Sequence, residues 1–273
     1  MGISISENIR LEAAPPQPPP GTCVRCGGPV NPVFLPGGRI IAPSWVTPDL
    51  CGGCLEKTRQ KAERAERAER KLDLLKDCNL PPEAFDWDFN RAEAKAKGLK
   101  AGLADLESWQ RAHHACRYWP GGRKGLYLYG EAGTGKTVLA WCLLTWALTK
   151  EEPLTGFFLP VSELFDEVGL SFNADSRARY LAGQAKEARL LVMDDLGAVR
   201  PRRKMAEVLF DIVDTRTRAH RPTVYTSNYG PGELDKRLRD QFGRVIDRIV
   251  GSTEGVPVMG RSFRVLEAEH RWR

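Results

Sequence analysis

The chain has 273 residues, room for one substantial domain and a small appendage, with 28% charged and 42% hydrophobic residues, ordinary proportions for a soluble protein. Its net charge of +6 admits polyanions as partners without requiring them. The longest apolar run, Val138 to Leu148, is broken by Thr145 and too short to cross a bilayer, and no basic-then-apolar leader opens the chain, so a cytoplasmic protein with no membrane partner is expected.

In chain order, residues 1–20 hold the tract Pro15-Pro16-Gln17-Pro18-Pro19-Pro20, which favours extended geometry and predicts a disordered tail. Residues 21–55 follow with Cys23 and Cys26 as one pair and Cys51 and Cys54 as another, separated by 24 residues, 27–50. Two tight thiolate pairs suit tetrahedral Zn²⁺, and Gly27-Gly28 and Gly52-Gly53 allow sharp turns beside them. Disulfides are foreign to the cytoplasm, and a redox pair would want a thioredoxin-like context that is missing here. Four thiolates close the metal's shell, so the zinc is expected to be structural, and so small a module has surface display as its natural task. Contact with DNA is the alternative, with Arg25 and Arg39 as the nearby cations. Cys78, Cys116 and Cys142 lack partners at ligand spacing and read as small apolar residues.

Residues 56–79 carry the repeat Ala62-Glu63-Arg64-Ala65-Glu66-Arg67-Ala68-Glu69-Arg70, made of strong helix formers able to pair charges one turn apart. With little apolar face, this predicted helix over 56–75 reads as a solvated linker, or else as a partner-binding helix. Asn79-Leu80-Pro81-Pro82 ends it and opens a domain over 80–273. There, predicted strands at 125–129, 156–161, 189–194, 222–227 and 255–259 alternate with helices at 105–118, 135–149, 162–168, 176–187, 203–219 and 232–249. This alternation argues for an α/β fold, a parallel sheet covered on both faces.

The first of these strands runs into Gly130-Glu131-Ala132-Gly133-Thr134-Gly135-Lys136-Thr137, a phosphate-binding loop. Its glycines let backbone N–H groups turn toward a β-phosphate, and the following helix adds the positive end of its dipole. Lys136 neutralises phosphate charge, and the Thr137 hydroxyl is placed to hold Mg²⁺. Further on, Leu190-Leu191-Val192-Met193 ends in Asp194 and Asp195, at the strand end where such folds do their chemistry. Asp194 is expected to hold Mg²⁺ and Asp195 to polarise the attacking water. After Val224-Tyr225-Thr226-Ser227, Asn228 is a sensor candidate, able to donate to a γ-phosphate and accept from water. The arginines of Arg244-Val245-Ile246-Asp247-Arg248-Ile249 and of Gly260-Arg261-Ser262-Phe263-Arg264 are candidates for stabilising transition-state charge.

Together these motifs resemble the AAA+ ATPases, and within them the bacterial replicative helicase loaders of the DnaC and DnaI type with their relative, the transposition ATPase IstB. The likeness covers roughly Leu80 to Arg264. It implies a five-stranded sheet with a reduced C-terminal lid, ATP as ligand, Arg248 as a finger acting across a subunit boundary, and Arg264 as second sensor. It further implies self-association into a ring or spiral, a DnaB-like replicative helicase docked through the zinc module, and single-stranded DNA as substrate. Asp195 departs from the Glu usual in AAA+ proteins; its shorter reach points to slow turnover, or to an adaptor that uses ATP only as a switch. Arg200-Pro201-Arg202-Arg203-Lys204 and the stretch from Phe172 to Lys186, with Arg177, Arg179 and Tyr180, are candidate DNA contacts, or simply solvated surface. A transposition helper acting on duplex DNA is the rival to the loader.

Overall fold

The computed structural model describes residues 16–35, 44–99, 103–119, 121–150, 154–170, 176–199 and 202–271. Residues 1–15 of the expected tail, Arg39, Arg200, Pro201 and the segment from Phe172 to Asp175 lie outside them. Two compact units divide between Arg70 and Lys71.

In the first unit, β1 (Gly21–Thr22) pairs antiparallel with β2 (Pro29–Val30), and β3 (Val33–Leu35) with β4 (Ser44–Val46). Between β1 and β2 the chain reverses at Gly27, whose φ of 72° favours glycine, and Cys23 N–H donates to Gly28 O at 2.8 Å. Helix α1 (Gly52–Lys76) starts inside the second cysteine pair, earlier than the predicted 56. Its exposed face carries a charge pair one turn apart, Arg59 Nε to Glu63 Oε1 at 2.8 Å. Among the described residues the buried apolar cluster of this unit is Cys23, Val30 and Cys54, with Leu50 and Cys51 packed partly buried against it, too little to hold a fold by hydrophobic burial.

The second unit is a five-stranded parallel sheet of β5 (Gly125–Tyr129), β6 (Gly156–Pro160), β7 (Leu190–Asp194), β8 (Thr223–Ser227) and β9 (Thr253–Pro257), in the order β6-β7-β8-β5-β9. This is the AAA+ sheet that the resemblance implies. Successive strand residues face opposite layers. Leu191, Met193, Tyr127 and Tyr225 point into one core with α5 (Val161–Leu170), α6 (Arg177–Glu187), α7 (Arg203–Arg218) and α8 (Pro231–Ser252). Leu190, Val192, Leu126, Leu128 and Val224 point into the other, with α2 (Phe89–Gly98), α3 (Leu103–Arg117) and α4 (Lys136–Thr149). Strands buried on both faces read as unbroken apolar runs, which is why their positions were legible.

Departures from the sequence reading have local causes. Strand β9 starts at Thr253, two residues before the predicted 255, because Thr253 and Gly255 pair with Gly125 and Tyr127 through backbone alone. Helix α2 was not expected; Asp88 caps it, accepting from Arg91 N–H at 2.7 Å, and small Ala92 and Ala96 bury one face. The final helix α9 (Phe263–Arg271) was likewise not foreseen. At the edge of the sheet, Cys78 O accepts from Phe158 N–H at 2.7 Å and Asn79 Nδ2 donates to Phe158 O at 3.0 Å. Thus the last residues assigned to the linker cover an open strand edge and pack in the second unit.

One buried cation braces the first of these cores. Arg216 on α7, 1% exposed, donates to Ala185 O, Ala188 O and Pro222 O at 2.7 Å and to Thr223 Oγ1 at 2.8 Å. Burial pulls its pKa down to about 10, yet it remains charged at neutral pH. Its donors join the end of α6 to the start of β8.

Candidate functional site

The loop after β5 has the geometry its glycines permit. Gly130, Gly133 and Gly135 have φ of 148°, 81° and 91°. A Cβ on Gly133 would lie 2.1 Å from Ser262 Oγ, so no other residue fits there without displacing the start of α9. Gly133 O also accepts from Phe263 N–H at 2.9 Å, so the loop and α9 are bonded directly. Thr134 Oγ1 donates to Glu131 O at 3.0 Å, closing the turn around Ala132. Lys136, buried at the first position of α4, donates from Nζ to Gly130 O at 2.8 Å and to Glu131 O at 2.7 Å. Burial lowers its pKa to about 8 and the charge of Arg264 pushes the same way, while Asp195 and Asp194 oppose them.

Parallel strand ends bring the remaining groups to this loop. Thr137 Oγ1 donates to Asp194 Oδ1 at 2.9 Å, across 57 positions of sequence. Thr226, on neighbouring β8, donates from Oγ1 to the same Asp194 oxygen at 2.6 Å and accepts from Asp195 N–H at 2.9 Å. Burial raises the Asp194 pKa above the usual carboxylate range, and the hydroxyls of Thr226 and Thr137 hold it back. Asn228 Nδ2 donates to Asp195 Oδ1 at 3.2 Å. A hydroxyl and a carboxylate in contact, facing a phosphate loop, are a fitting donor pair for Mg²⁺.

These groups share one cavity of about 570 Å³. Its lining includes Ala132, Gly133, Gly135, Lys136, Thr137, Asp194, Asp195, Asn228 and Arg264, nine of the thirteen sequence-derived ATP-site candidates, while Gly130, Glu131 and Thr134 belong to the same loop without lining it. Arg248 stands apart on α8: its Nε lies 2.7 Å from Asp214 Oδ1 and its guanidinium rests over the Phe210 ring. Thr226 received no role of its own in the sequence reading, since a strand threonine shows what it bonds only once its neighbours are known. The aromatic part of the lining, Trp87, Trp109, Trp141 and Phe263, was missed for the same reason. At its rim Lys95 pairs with Glu267 at 2.5 Å and lies over the Trp87 ring.

In the first unit the four thiols of Cys23, Cys26, Cys51 and Cys54 lie within 4.8 Å of one another, with Cys26 Sγ and Cys51 Sγ at 3.6 Å. A tetrahedral zinc with Zn–S near 2.3 Å requires sulfur separations of about 3.8 Å, whereas a disulfide brings its sulfurs to about 2 Å. The cluster therefore fits a Zn²⁺ ion and not a cross-link. The thiols share their protons: the Cys51 backbone N–H pulls the Cys23 thiol down, while the Cys26 and Cys51 thiols push Cys54 up.

Most of the described candidate DNA cations are engaged within the chain. Arg177 pairs with Glu163, Lys186 with Asp211, and Arg203 and Lys204 with Glu207. Tyr180 is exposed on α6. Among the described residues no helix is long and apolar enough to cross a membrane.

Comparison with known proteins agrees with this geometry. The family model of the IstB-like ATP binding protein matches residues 55–270. Over 172 residues the chain is 30% identical to the replicative helicase loader DnaI of Bacillus subtilis strain 168, covering 63% of this chain but only 53% of that protein. It thus spans about half the length of that relative. Over 200 residues it is 24% identical to a proposed ATP-binding protein of insertion sequence IS21 from Pseudomonas aeruginosa, covering 71% of this chain and 69% of the other. A solved structure, a proposed primosome component of Streptococcus pyogenes serotype M3, superposes with a TM-score of 0.51 at 25% identity, over 68% of this chain and 92% of its own.

Proposed function

The chain belongs to the family of IstB-like ATP-binding proteins, and from that membership we propose that it is an AAA+ ATPase that places a replicative DNA helicase on single-stranded DNA. One conjunction carries the reading: hydroxyl, carboxylates and asparagine converge on a phosphate loop, in a chain 30% identical to a helicase loader. In this reading, residues 130–137 cradle the phosphates of ATP and Thr137 and Asp194 hold Mg²⁺. The metal would neutralise charge developing on the β- and γ-phosphate oxygens. Asp195 polarises the attacking water, Asn228 orients it, and Arg264 senses the γ-phosphate. Arg248 completes a neighbouring subunit's site when copies assemble into a ring or spiral.

Residues 1–20 are then a tail, 21–55 a zinc module that docks on a DnaB-like helicase, 56–79 a linker, and 80–273 the motor, all in the cytoplasm. Co-purification with the cell's replicative helicase tests the docking: capture is expected from the full chain and loss of capture on deleting residues 1–77. Retained capture overturns the docking assignment. In the same preparations Arg248→Ala should spare ATP binding and remove turnover at concentrations where the wild type assembles; unchanged turnover discards the finger. The IS21 relative favours a second reading, a transposition helper, because its alignment covers more of this chain. Preference for duplex DNA with no affinity for the helicase would decide for it.

A further inference from the structure

The lining of the nucleotide cavity contains two buried donors with nothing to donate to among the described residues. Trp109 on α3 is 3% exposed, and its Nε1–H has no hydrogen-bond partner among the described residues. Trp141 on α4 lines the same cavity, and its Nε1–H is also buried without a partner. Buried indole N–H groups ordinarily find an acceptor, and an unpaired one is destabilising. Two in one cavity point to an acceptor that arrives with the ligand.

The orientation of Trp109 is fixed rather than accidental. Its ring stacks on His113 with centroids 5.1 Å apart at 27°, and Phe89 meets the other side of that imidazole edge-on. His113 is itself anchored, Nε2 lying 2.9 Å from Phe89 O. So held, Trp109 Nε1 stands 3.1 Å from where a Cβ on Gly135 would be, beside the last glycine of the phosphate loop. Ala92 and Ala96, one turn apart on α2, leave space on the cavity's outer side that larger residues would fill. The result is a slot for a flat ring, walled by aromatics and supplied with two indole donors, with the carboxylates of Glu83 and Glu267 elsewhere in the same lining.

We propose that Trp109 and Trp141 hold the base of the nucleotide, each donating its indole N–H to a ring nitrogen of adenine. An indole donates and never accepts, so its partner must be an acceptor, and the adenine ring carries three acceptor nitrogens, N1, N3 and N7. The proposal rests on the ATP reading above but places recognition of the base on α3 and α4, apart from the phosphate grip of residues 130–137. Both are positioning and specificity contacts, remote from the reacting phosphate.

The test uses the full-length chain and ATP analogues in which N1, N3 or N7 is replaced by C–H, with dissociation constants measured by calorimetry. Two of the three deaza analogues should each bind the wild type about 3- to 10-fold more weakly than ATP, the size of one neutral hydrogen bond. One deficit should vanish in Trp109→Phe and the other in Trp141→Phe, which keep an aromatic ring and delete the donor, while binding of inorganic tripolyphosphate stays unchanged. Equal affinity of all three analogues and ATP for the wild type overturns the proposal, without any variant having to fold. A deficit that persists in both Phe variants overturns it as well. Should ATP fail to bind the wild type at all, the ATP reading itself falls; should ATP bind and Lys136→Ala abolish it while the analogues show no deficit, only the base contact falls.

Discussion

At Asp195 the backbone adopts φ of 58°, left-handed in a residue other than glycine, immediately after β7. Asp and Asn visit that region because their short side chains bond locally, whereas other side chains meet a steric cost of about 1–2 kcal/mol. The strain turns the carboxylate toward Asn228 and lets the backbone N–H reach Thr226. Two substitutions separate shape from charge. Asp195→Asn should retain stability within about 0.5 kcal/mol and retain ATP binding, yet lose hydrolysis. Asp195→Ala should lose hydrolysis and about 1–2 kcal/mol of stability as well. Urea unfolding with phosphate release measures both, and hydrolysis surviving in the Asn variant would remove Asp195 from water activation. At this scale the phosphate loop was fully legible, because its residues act through spacing along the chain. Thr226, Trp109 and Ser262 were not, because each acts on a residue tens of positions away.

Among the elements, α6, α7 and β8 share an apolar core and also meet at a buried cation. Removing the Arg216 guanidinium leaves the carbonyls of Ala185, Ala188 and Pro222 buried without their donors. Each orphaned carbonyl costs about 1–3 kcal/mol, so Arg216→Met should destabilise the second unit by about 3 kcal/mol or more. The expected signature is a lowered urea midpoint with an unchanged slope; a midpoint within experimental error of wild type would show those carbonyls to be hydrated. Elements were legible where burial on both faces wrote long apolar runs, as in β5 and β7. They were obscure where backbone pairing or small residues did the work, as in β9 and α2. Arg216 itself looked like any surface arginine of a helix, since only tertiary contacts distinguish a buried cation from a solvated one.

Over the whole molecule, the two units are stabilised by different means. Among the described residues the first buries Val30 against a cluster of four thiols, while the second has two extensive cores. Chelation of zinc should therefore unfold the first unit and leave ATP binding by the second intact. Thiol alkylation at pH 8 reads this directly. The metal-loaded chain should resist modification, chelator should expose Cys23, Cys26, Cys51 and Cys54, and the other three should wait for denaturant. Burial holds Cys78 up at about 11 and Cys142 at about 12, and raises Cys116 as well. All seven thiols reacting together on chelation would mean that the second unit depends on the metal. The cysteine spacing and the alternation of strands and helices made this division visible in outline, although where the second unit takes up the chain depends on Cys78 and Asn79 covering a strand edge.

The bond from Phe263 N–H to Gly133 O makes one mechanical variable of two functions. Any grip on phosphate that rotates the Gly133 peptide also tilts the first turn of α9, and Arg264 is the next residue along. In the proposed ATPase a tightening loop would re-aim that guanidinium, and α9 would work as a pointer whose pivot lies in the phosphate loop.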